Sequence, residues 1–282
     1  MSFDVNLGAS QRGILFAMAE ARQAIETGKE RLTTGKKINS ASDDPIKFFT
    51  ANSLENDAFD FMKVKDTLGQ TIKSLESTNN GLTSIKTTLD SMQGIINSAR
   101  GTSDAATLES LSNTFNSLMS QVTNFANDAT YNGRNFIADS GAGTGGATFD
   151  LTLYFGIDTA TPSTFTISAI GASAASMGLA TAGSSWQAST DIDASQSLLT
   201  TAIATVRSSI QTFGTSINML KIRDEFTTKH VKALKDGASQ LVEADINEEG
   251  AKLNALKMNQ YIGLSNLGFS GQLNQGVLKL LG

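Results

Sequence analysis

Apolar residues recur at every seventh position through much of the first hundred residues. With further apolar residues three positions on, they form an a/d pattern that lasts for six heptads and predicts one long helix over 45–100. Ser42 and Asp43 are expected to cap the start of this helix, and Pro45 suits its first turn. The members of the seam, all expected in the core of a helical bundle, are Leu54, Phe61, Leu68, Leu75, Leu82, Leu89 and Ile96.

Two later stretches space their apolar residues by alternating steps of three and four. This spacing predicts further helices over 104–129 and 192–240. Short connections favour antiparallel neighbours within one chain over a dimeric coiled coil, so both helices are expected to pack against the first. Their predicted contributions to the bundle core include Phe115, Leu118, Phe125, Val206 and Phe213.

The middle of the chain has a different pattern, with apolar and polar residues alternating over 147–155 and again over 164–168. This period of two predicts a β-hairpin. The interval 172–194 is too short and too poor in large apolar residues for a separate domain. The predicted fold class is therefore mainly α, a long antiparallel helical bundle or coiled coil with a small β-hairpin and no separate outer domain. A G-x-G-x-x-G match over 141–146 precedes a strand-like run, so a loop is expected there instead of a nucleotide site.

Both ends of the chain are amphipathic, but neither has an obvious partner nearby in the sequence. An isolated amphipathic helix is marginal in water, and packing the ends of many subunits together would bury its stripe. We therefore expect the ends to be mobile in the monomer and helical in a polymer. The predicted polymerisation interface is Leu7, Ile14, Met18, Ile25, Leu32, Leu253, Leu256, Leu264, Leu267, Leu278 and Leu281.

The composition argues against catalytic, metal-binding and nucleic-acid-binding sites. The 282 residues include 22 Lys and Arg against 27 Asp and Glu, no Cys and one His, so neither a basic nucleic acid surface nor a thiolate site is expected. No apolar run is long enough to cross a bilayer. No catalytic residue, cofactor or metal site is predicted, and the chain is not expected to be an enzyme. His230 is expected to be a solvated helix residue, and the acidic group over 243–249 an exposed helix face.

Three stretches carry a resemblance to a known family. Residues 31–44 read Arg-Leu-Thr-Thr-Gly-Lys-Lys-Ile-Asn-Ser-Ala-Ser-Asp-Asp, residues 130–134 read Thr-Tyr-Asn-Gly-Arg, and residues 255–267 include Ala-Leu, Gln and Ile-Gly. In this order and at these ends of the chain, they resemble the signatures of bacterial flagellin. The resemblance covers essentially the whole chain.

That resemblance implies a filament subunit that swimming bacteria export unfolded through the flagellar type III apparatus. Its implied partners are other copies of itself, the export machinery, and cap and junction proteins, and its implied location is the extracellular filament. Residues 1–7 show no cleavable secretory signal, which agrees with such export. The resemblance also implies inner-tube helices over 1–43 and 243–282, bundle helices over 44–137 and 191–242, and an exposed hairpin with loops over 138–190.

Other readings remain open from the residues alone. A hook–filament junction protein shares the terminal signatures, a secreted helical surface adhesin would carry a ligand site in its exposed middle, and an enzyme would need an acid–base pair. Many flagellins also place an Arg and a Glu where they contact an innate immune receptor. This chain has Ser91 and Gly94 there, so the resemblance does not extend to that contact.

Overall fold

The computed structural model describes residues 9–138, 150–157 and 163–281, and most of this backbone is helical. The predicted fold class, mainly α with a small β-hairpin, is confirmed. The loop predicted over 141–146 and the beginning of the predicted hairpin, at 147–149, lie outside the described residues. The elements are α1 (Ala9–Thr34), α2 (Pro45–Arg100), α3 (Ala105–Asp128), β1 (Leu151–Tyr154), β2 (Thr164–Ile167), α4 (Ser189–Val242) and α5 (Ile246–Leu281), with one 3₁₀ turn at Gly183–Trp186.

The chain divides into two compact units. The central unit is Asp57–Lys232, and the terminal unit combines Met1–Asn56 with Ala233–Gly282. Helices α2 and α4 contribute residues to both units. The division of the sequence into five functional segments remains a prediction.

The start of α2 differs in one detail from its prediction. Its cap is Asp44, whose Oδ1 accepts a hydrogen bond of 3.1 Å from the backbone N–H of Lys47. Asp43 instead accepts bonds from the backbone N–H groups of Asn39 and Ser40, both at 3.0 Å. The cap falls one residue later because Asp44 directly precedes the first helical residue, where a side-chain oxygen reaches the free N–H groups.

The central unit is built around one continuous hydrophobic cluster. Helices α2, α3 and α4, both strands and the 3₁₀ turn all contribute buried side chains to it. Trp186 is fully buried against Phe115, with ring centroids 5.1 Å apart, and its Nε1 donates to Ser195 Oγ at 3.1 Å. That bond satisfies the indole N–H, so Trp186 is buried without an orphaned donor.

Helices α2 and α4 run antiparallel in the central unit. Glu76 forms an ion pair with Lys221 at 3.2 Å, and Gln93, further along α2, exchanges side-chain hydrogen bonds with Gln196, which lies earlier on α4. The pKa of Glu76 lies below its ordinary value because its carboxylate accepts from Lys73 and from Lys221.

The strands form a two-stranded antiparallel hairpin whose two faces differ. Leu151 opposes Ile167 and Leu153 opposes Phe165 on the face turned to the cluster. On the other face the hydroxyl oxygens of the exposed Thr152 and Thr166 lie 3.2 Å apart. The hairpin therefore packs on the helices through one apolar face, as its alternating pattern predicts.

Candidate polymerisation surface

Helices α1 and α5 pack against each other in the terminal unit. Met18 lies within the pair, and a Cβ placed on Gly263 would come within 3.2 Å of Met18 Cγ. Near the opposite end of α1, the same construction on Gly28 meets Leu253 Cδ1 at 3.5 Å. Each end of the chain therefore has a partner in the same chain. The sequence pattern does not reveal this partner, because the two helices lie more than 200 residues apart.

Polar contacts also join the pair. Arg31 Nη1 lies 3.5 Å from Glu249 Oε1, and the Glu249 side chain is buried. Gln11 Nε2 donates to Ser270 Oγ at 3.3 Å. These contacts fix the register of α1 along α5, because each joins residues at a different level of the two helices.

The acidic group over 243–249 is therefore not simply the exposed helix face that its charge predicted. Glu249 is buried beside Arg31, and Asp245 Oδ1 accepts bonds from the backbone N–H groups of Asn247 and Glu248 at the start of α5. The expectation was wrong for Glu249 because a charged side chain is buried only when it is paired, and its partner Arg31 lies on a helix that is distant in sequence.

The structure separates the predicted interface residues into several groups. Leu7 lies outside the described residues, as do the side chains of Leu278 and Leu281. Met18, Ile25 and Leu253 are buried within the chain, and Leu264 is exposed. The half-buried members are Ile14, Leu32, Leu256 and Leu267.

A different set of apolar side chains faces solvent in the terminal unit. Phe16 is 74% exposed, Tyr261 70% and Phe269 65%. On α5 the exposed apolar residues repeat at helical spacing and so form a stripe. The outer faces of the two helices, which are the α5 stripe and Leu15 and Phe16 of α1, are together called the terminal apolar surface below; the members of the stripe are Met258, Tyr261, Ile262, Phe269 and Leu273.

A groove runs along the helix pair beside this surface. It has a volume of about 510 Å³, and its apolar lining includes Ile14, Leu256 and Ile262, while Asn259 and Asn266 provide amides. Soluble monomers rarely leave large apolar patches uncovered, so a surface of this kind is typical of a protein–protein contact.

The loop between α1 and α2 is anchored to the junction of α4 and α5. Backbone N–H groups of Lys37 and Ala244 donate to the carbonyls of Val242 and Gly35, at 2.6 and 2.9 Å. Gly35 has a φ of +70°, which ends α1 in a conformation that suits glycine. The backbone bonds from Asn39 and Ser40 hold the pKa of Asp43 below its ordinary value.

The residues predicted for the bundle core fall in both units. Leu54 packs on a small cluster of the terminal unit that contains Ile38, Ala51, Ala238 and Val242. Phe61 is half-buried, and Leu118 and Phe125 are half-buried against the central cluster. The members buried in that cluster are Leu68, Leu75, Leu82, Leu89, Ile96, Phe115, Val206 and Phe213.

His230 lies on α4, as predicted, but it is half-buried and therefore less solvated than its sequence context indicated. Its ring meets Phe61 edge-on at 4.7 Å and stacks on Phe226 at 5.8 Å. The pattern of charged neighbours hid this packing, because the aromatic partner on α2 is distant in sequence. Within the described ranges, no three His, Cys, Asp or Glu residues are grouped to hold a metal ion, and no helix has the length and apolar character to span a bilayer.

The chain is similar to known proteins along most of its length. A model of the bacterial flagellin N-terminal helical region matches residues 9–142. Flagellin FljM of Caulobacter vibrioides is 30% identical over 253 residues, which is 89% of each chain. Flagellin FljK of the same bacterium is 29% identical over 98% of this chain and 97% of its own.

Similarity extends to a second genus and to a solved structure. A flagellin of Brucella melitensis is 25% identical over 94% of both chains. The crystal structure of Bacillus cereus flagellin matches with 22% identity and a TM-score of 0.49, covering 57% of this chain and 88% of that one. On the strength of the FljM match, which spans most of both sequences at 30% identity, this chain belongs to the bacterial flagellin family.

Proposed function

We propose that this chain polymerises into the flagellar filament through its terminal unit, and that the filament serves swimming motility. The observation that carries the proposal is the terminal apolar surface, on which Phe16, Tyr261 and Phe269 remain mostly exposed although α1 and α5 already pack together. Each such side chain contributes about 1.5–3 kcal/mol when it is fully buried. A neighbouring copy of the chain would bury several of them at once.

The proposed contact has two parts. The α1–α5 pair is the element that each subunit presents, and the groove lined by Ile14, Leu256 and Ile262 receives apolar side chains of the next copy. A contact between two different faces of the subunit joins copies head to tail. Such contacts generate open helical assemblies when they do not close into a ring. The predicted inner-tube position of 1–43 and 243–282 is part of this proposal.

Export in an unfolded state through the flagellar type III apparatus is the second part of the proposal, and it follows from family membership. The composition supports it, since a chain with no Cys has no disulfide to reduce before it unfolds. Cap and junction proteins are the proposed partners at the growing and basal ends of the filament.

Seeded assembly of the purified full chain tests polymerisation. Fragments of its own filaments are added to monomer, and sedimentation and electron microscopy follow growth. We expect long helical filaments above a critical concentration. A chain that stays monomeric with seeds at all concentrations, or that stops as a short stack, contradicts the proposal; the short stack would favour a junction protein.

Export is tested in the source bacterium. Deleting the flagellar export apparatus should keep the chain inside the cell. Inhibiting the signal peptidase of the general secretory pathway should leave the appearance of the chain in the medium unchanged. Secretion that survives loss of the flagellar apparatus contradicts this part alone.

A further inference from the structure

An asparagine–glycine pair forms the tip of the turn that follows α3. Tyr131 and Arg134 close the turn by exchanging two backbone hydrogen bonds of 2.9 Å. Between them, Asn132 has a φ of +49° and Gly133 a φ of +74°. These are the conformations of the type I′ turn that Asn-Gly favours. The polymerisation proposal makes no use of this turn.

Two groups at this tip are free to react with each other. Asn132 and Gly133 are both exposed. Among the described residues, the Asn132 side-chain amide has no hydrogen-bond partner and the backbone N–H of Gly133 has no acceptor. The space around the glycine is open as well, since a Cβ built on Gly133 would meet nothing within 4 Å. The backbone nitrogen of Gly133 is therefore accessible to the side chain that precedes it.

An exposed Asn-Gly pair contains the reacting groups for deamidation. The Gly133 nitrogen attacks Cγ of Asn132, which forms an N–C bond and closes a succinimide ring. The Cγ–Nδ2 bond breaks, and Nδ2 leaves as ammonia with the proton that the backbone nitrogen loses. Water then opens the ring at either carbonyl and gives aspartate or its isomer isoaspartate. The reaction consumes one water and releases one ammonia, so it needs no oxidant and no other reactant.

The folded turn slows this reaction without preventing it. In a type I′ turn the first central residue has a ψ of about +30°. That angle turns the Gly133 nitrogen away from the Cβ of Asn132 and hence away from Cγ, so the ring closes only after the turn opens. The turn lies at the surface and two hydrogen bonds close it, so its opening costs far less than unfolding the central unit.

A second Asn-Gly pair, Asn80-Gly81, provides a comparison within the same chain. Asn80 is also exposed, but the pair lies inside α2. In a helix the Gly81 N–H donates to the carbonyl four residues back, and a Cβ on Gly81 would lie 2.7 Å from Ala129 Cβ. Ring closure at Asn80 therefore requires local unfolding of a packed helix. The dipeptide and the exposure of its asparagine are the same at both sites, so the backbone surroundings distinguish them.

We propose that Asn132 is a site of spontaneous deamidation in the folded chain and that Asn80 is protected until the chain unfolds. The proposal does not depend on polymerisation, because both residues lie in the central unit.

The two products affect the turn differently. Asp-Gly favours the same turn as Asn-Gly, so the aspartyl product keeps it. The isoaspartyl product routes the main chain through Cβ and lengthens it by one atom, so Tyr131 and Arg134 no longer exchange both backbone hydrogen bonds. Isoaspartate at position 132 therefore loosens a turn that is otherwise closed.

Peptide mapping of the full-length monomer by mass spectrometry tests the proposal. The chain is incubated at mildly alkaline pH, either folded or unfolded in guanidinium chloride, and is then digested with trypsin. Digestion places Asn80 in peptide 74–86 and Asn132 in peptide 101–134. Fragmentation assigns each conversion to one residue, and a sample digested without incubation corrects for conversion during digestion.

In the folded chain, Asn132 should deamidate at least about tenfold faster than Asn80, because a difference of only about 1.4 kcal/mol in opening free energy has that effect. In guanidinium chloride both sites should react faster, and their rates should agree within about twofold, since both are then the same dipeptide in a flexible chain.

Two variants separate the reaction from its consequence. Asn132→Gly is the matched control, because glycine suits a φ of +49° and has no amide to react. Incubation should lower the urea midpoint of part of the wild-type chain and leave that of Asn132→Gly unchanged. Asn132→Asp reproduces the aspartyl product and should keep the midpoint of the fresh wild-type chain.

Three outcomes overturn the proposal. Equal rates at Asn80 and Asn132 in the folded chain show that the turn provides no selectivity. An Asn132 that stays intact in the folded chain, while both sites convert in guanidinium chloride, shows that the turn does not open. An unchanged urea midpoint, although isoaspartate has formed at position 132, contradicts the loosening of the turn.

Discussion

The central and terminal units use their apolar residues in opposite ways. In the central unit, Leu75, Leu82 and Leu89 of α2 are all completely buried in one cluster that also takes in the hairpin. In the terminal unit, α1 and α5 bury a narrow seam that includes Met18 and Leu253. The central unit therefore buries the large apolar side chains of its cluster within the chain, whereas large apolar side chains of the terminal unit remain exposed. In the proposed function, other copies of the chain cover them.

This contrast separates stability from assembly. A buried core stabilises the monomer at any concentration, while an exposed apolar surface stabilises only the polymer, and its contribution depends on the concentration of subunits. Substitutions in the two units should therefore change different measured quantities.

The largest effect is expected from polar substitution of the terminal apolar surface. Phe16→Gln combined with Phe269→Gln removes two side chains, each contributing about 1.5–3 kcal/mol on burial, so the critical concentration should rise about a hundredfold or more. Sedimentation of seeded assemblies measures it. Phe59→Gln is the matched control, because Phe59 is similarly exposed but belongs to the central unit. If the control raises the critical concentration equally, the contrast between the units fails.

A core truncation should act on the monomer instead. Leu89→Ala removes a side chain with no exposed surface, and we expect the free energy of unfolding to fall by about 2–5 kcal/mol. Urea denaturation of the monomer, followed by circular dichroism, measures it. Leu198→Ala makes the same change at a partly exposed position of α4 and should cost much less. Equal losses for the two variants would show that the central cluster is not close-packed.

Two glycines of α2 differ in how closely other residues approach them. A Cβ on Gly81 would lie 2.7 Å from Ala129 Cβ, whereas a Cβ on Gly94 meets nothing within 4 Å. Gly94→Ala should therefore stabilise the monomer by about 1 kcal/mol through helix propensity. Gly81→Ala gains the same propensity but overpacks the contact with the end of α3, at a cost of about 1–3 kcal/mol.

The same denaturation experiment compares the two glycine variants. Their difference isolates the packing penalty, because both replace glycine with alanine inside one helix. Equal stabilisation by both variants would contradict the close approach of α2 to Ala129.

The smallest effect concerns pH in the terminal unit. Backbone hydrogen bonds lower the pKa of Asp43 in the folded chain, so the unfolded chain binds more protons in acid. The stabilisation is complete above the ordinary pKa of aspartate, near 4, and is lost as pH falls through the lowered value. We expect the protection of the Asn39 and Ser40 amides, which is their exchange rate relative to the intrinsic rate at the same pH, to fall below about pH 4. Asp43→Asn should remove this dependence, and a variant that retains it would assign the effect to another group.

Most of the helical architecture follows from sequence pattern alone. The heptads of α2 and the alternating steps of α3 and α4 predict their bounds to within a few residues, because one continuous partner surface enforces one periodicity. The hairpin follows from its alternation for the same reason.

Contacts between distant residues were not predictable in this way. The burial of Glu249 depends on Arg31, and the ring contacts of His230 depend on Phe61. The terminal apolar surface was not predicted, because a single apolar stripe indicates one packing partner per helix. Helix α5 instead has a seam that packs on α1 and further apolar residues outside that seam.

Amide hydrogen exchange, measured on the full chain as dilute monomer and as polymer, tests the central claim most directly. The account predicts slow exchange in the central unit in both states. It predicts that α1 and α5, which bury only a narrow seam in the monomer, exchange faster there than the central unit and become strongly protected in the polymer, because neighbouring copies then cover the terminal apolar surface. Helices α1 and α5 that are as protected in the monomer as Leu75 and Leu89, and that gain nothing on polymerisation, would contradict it.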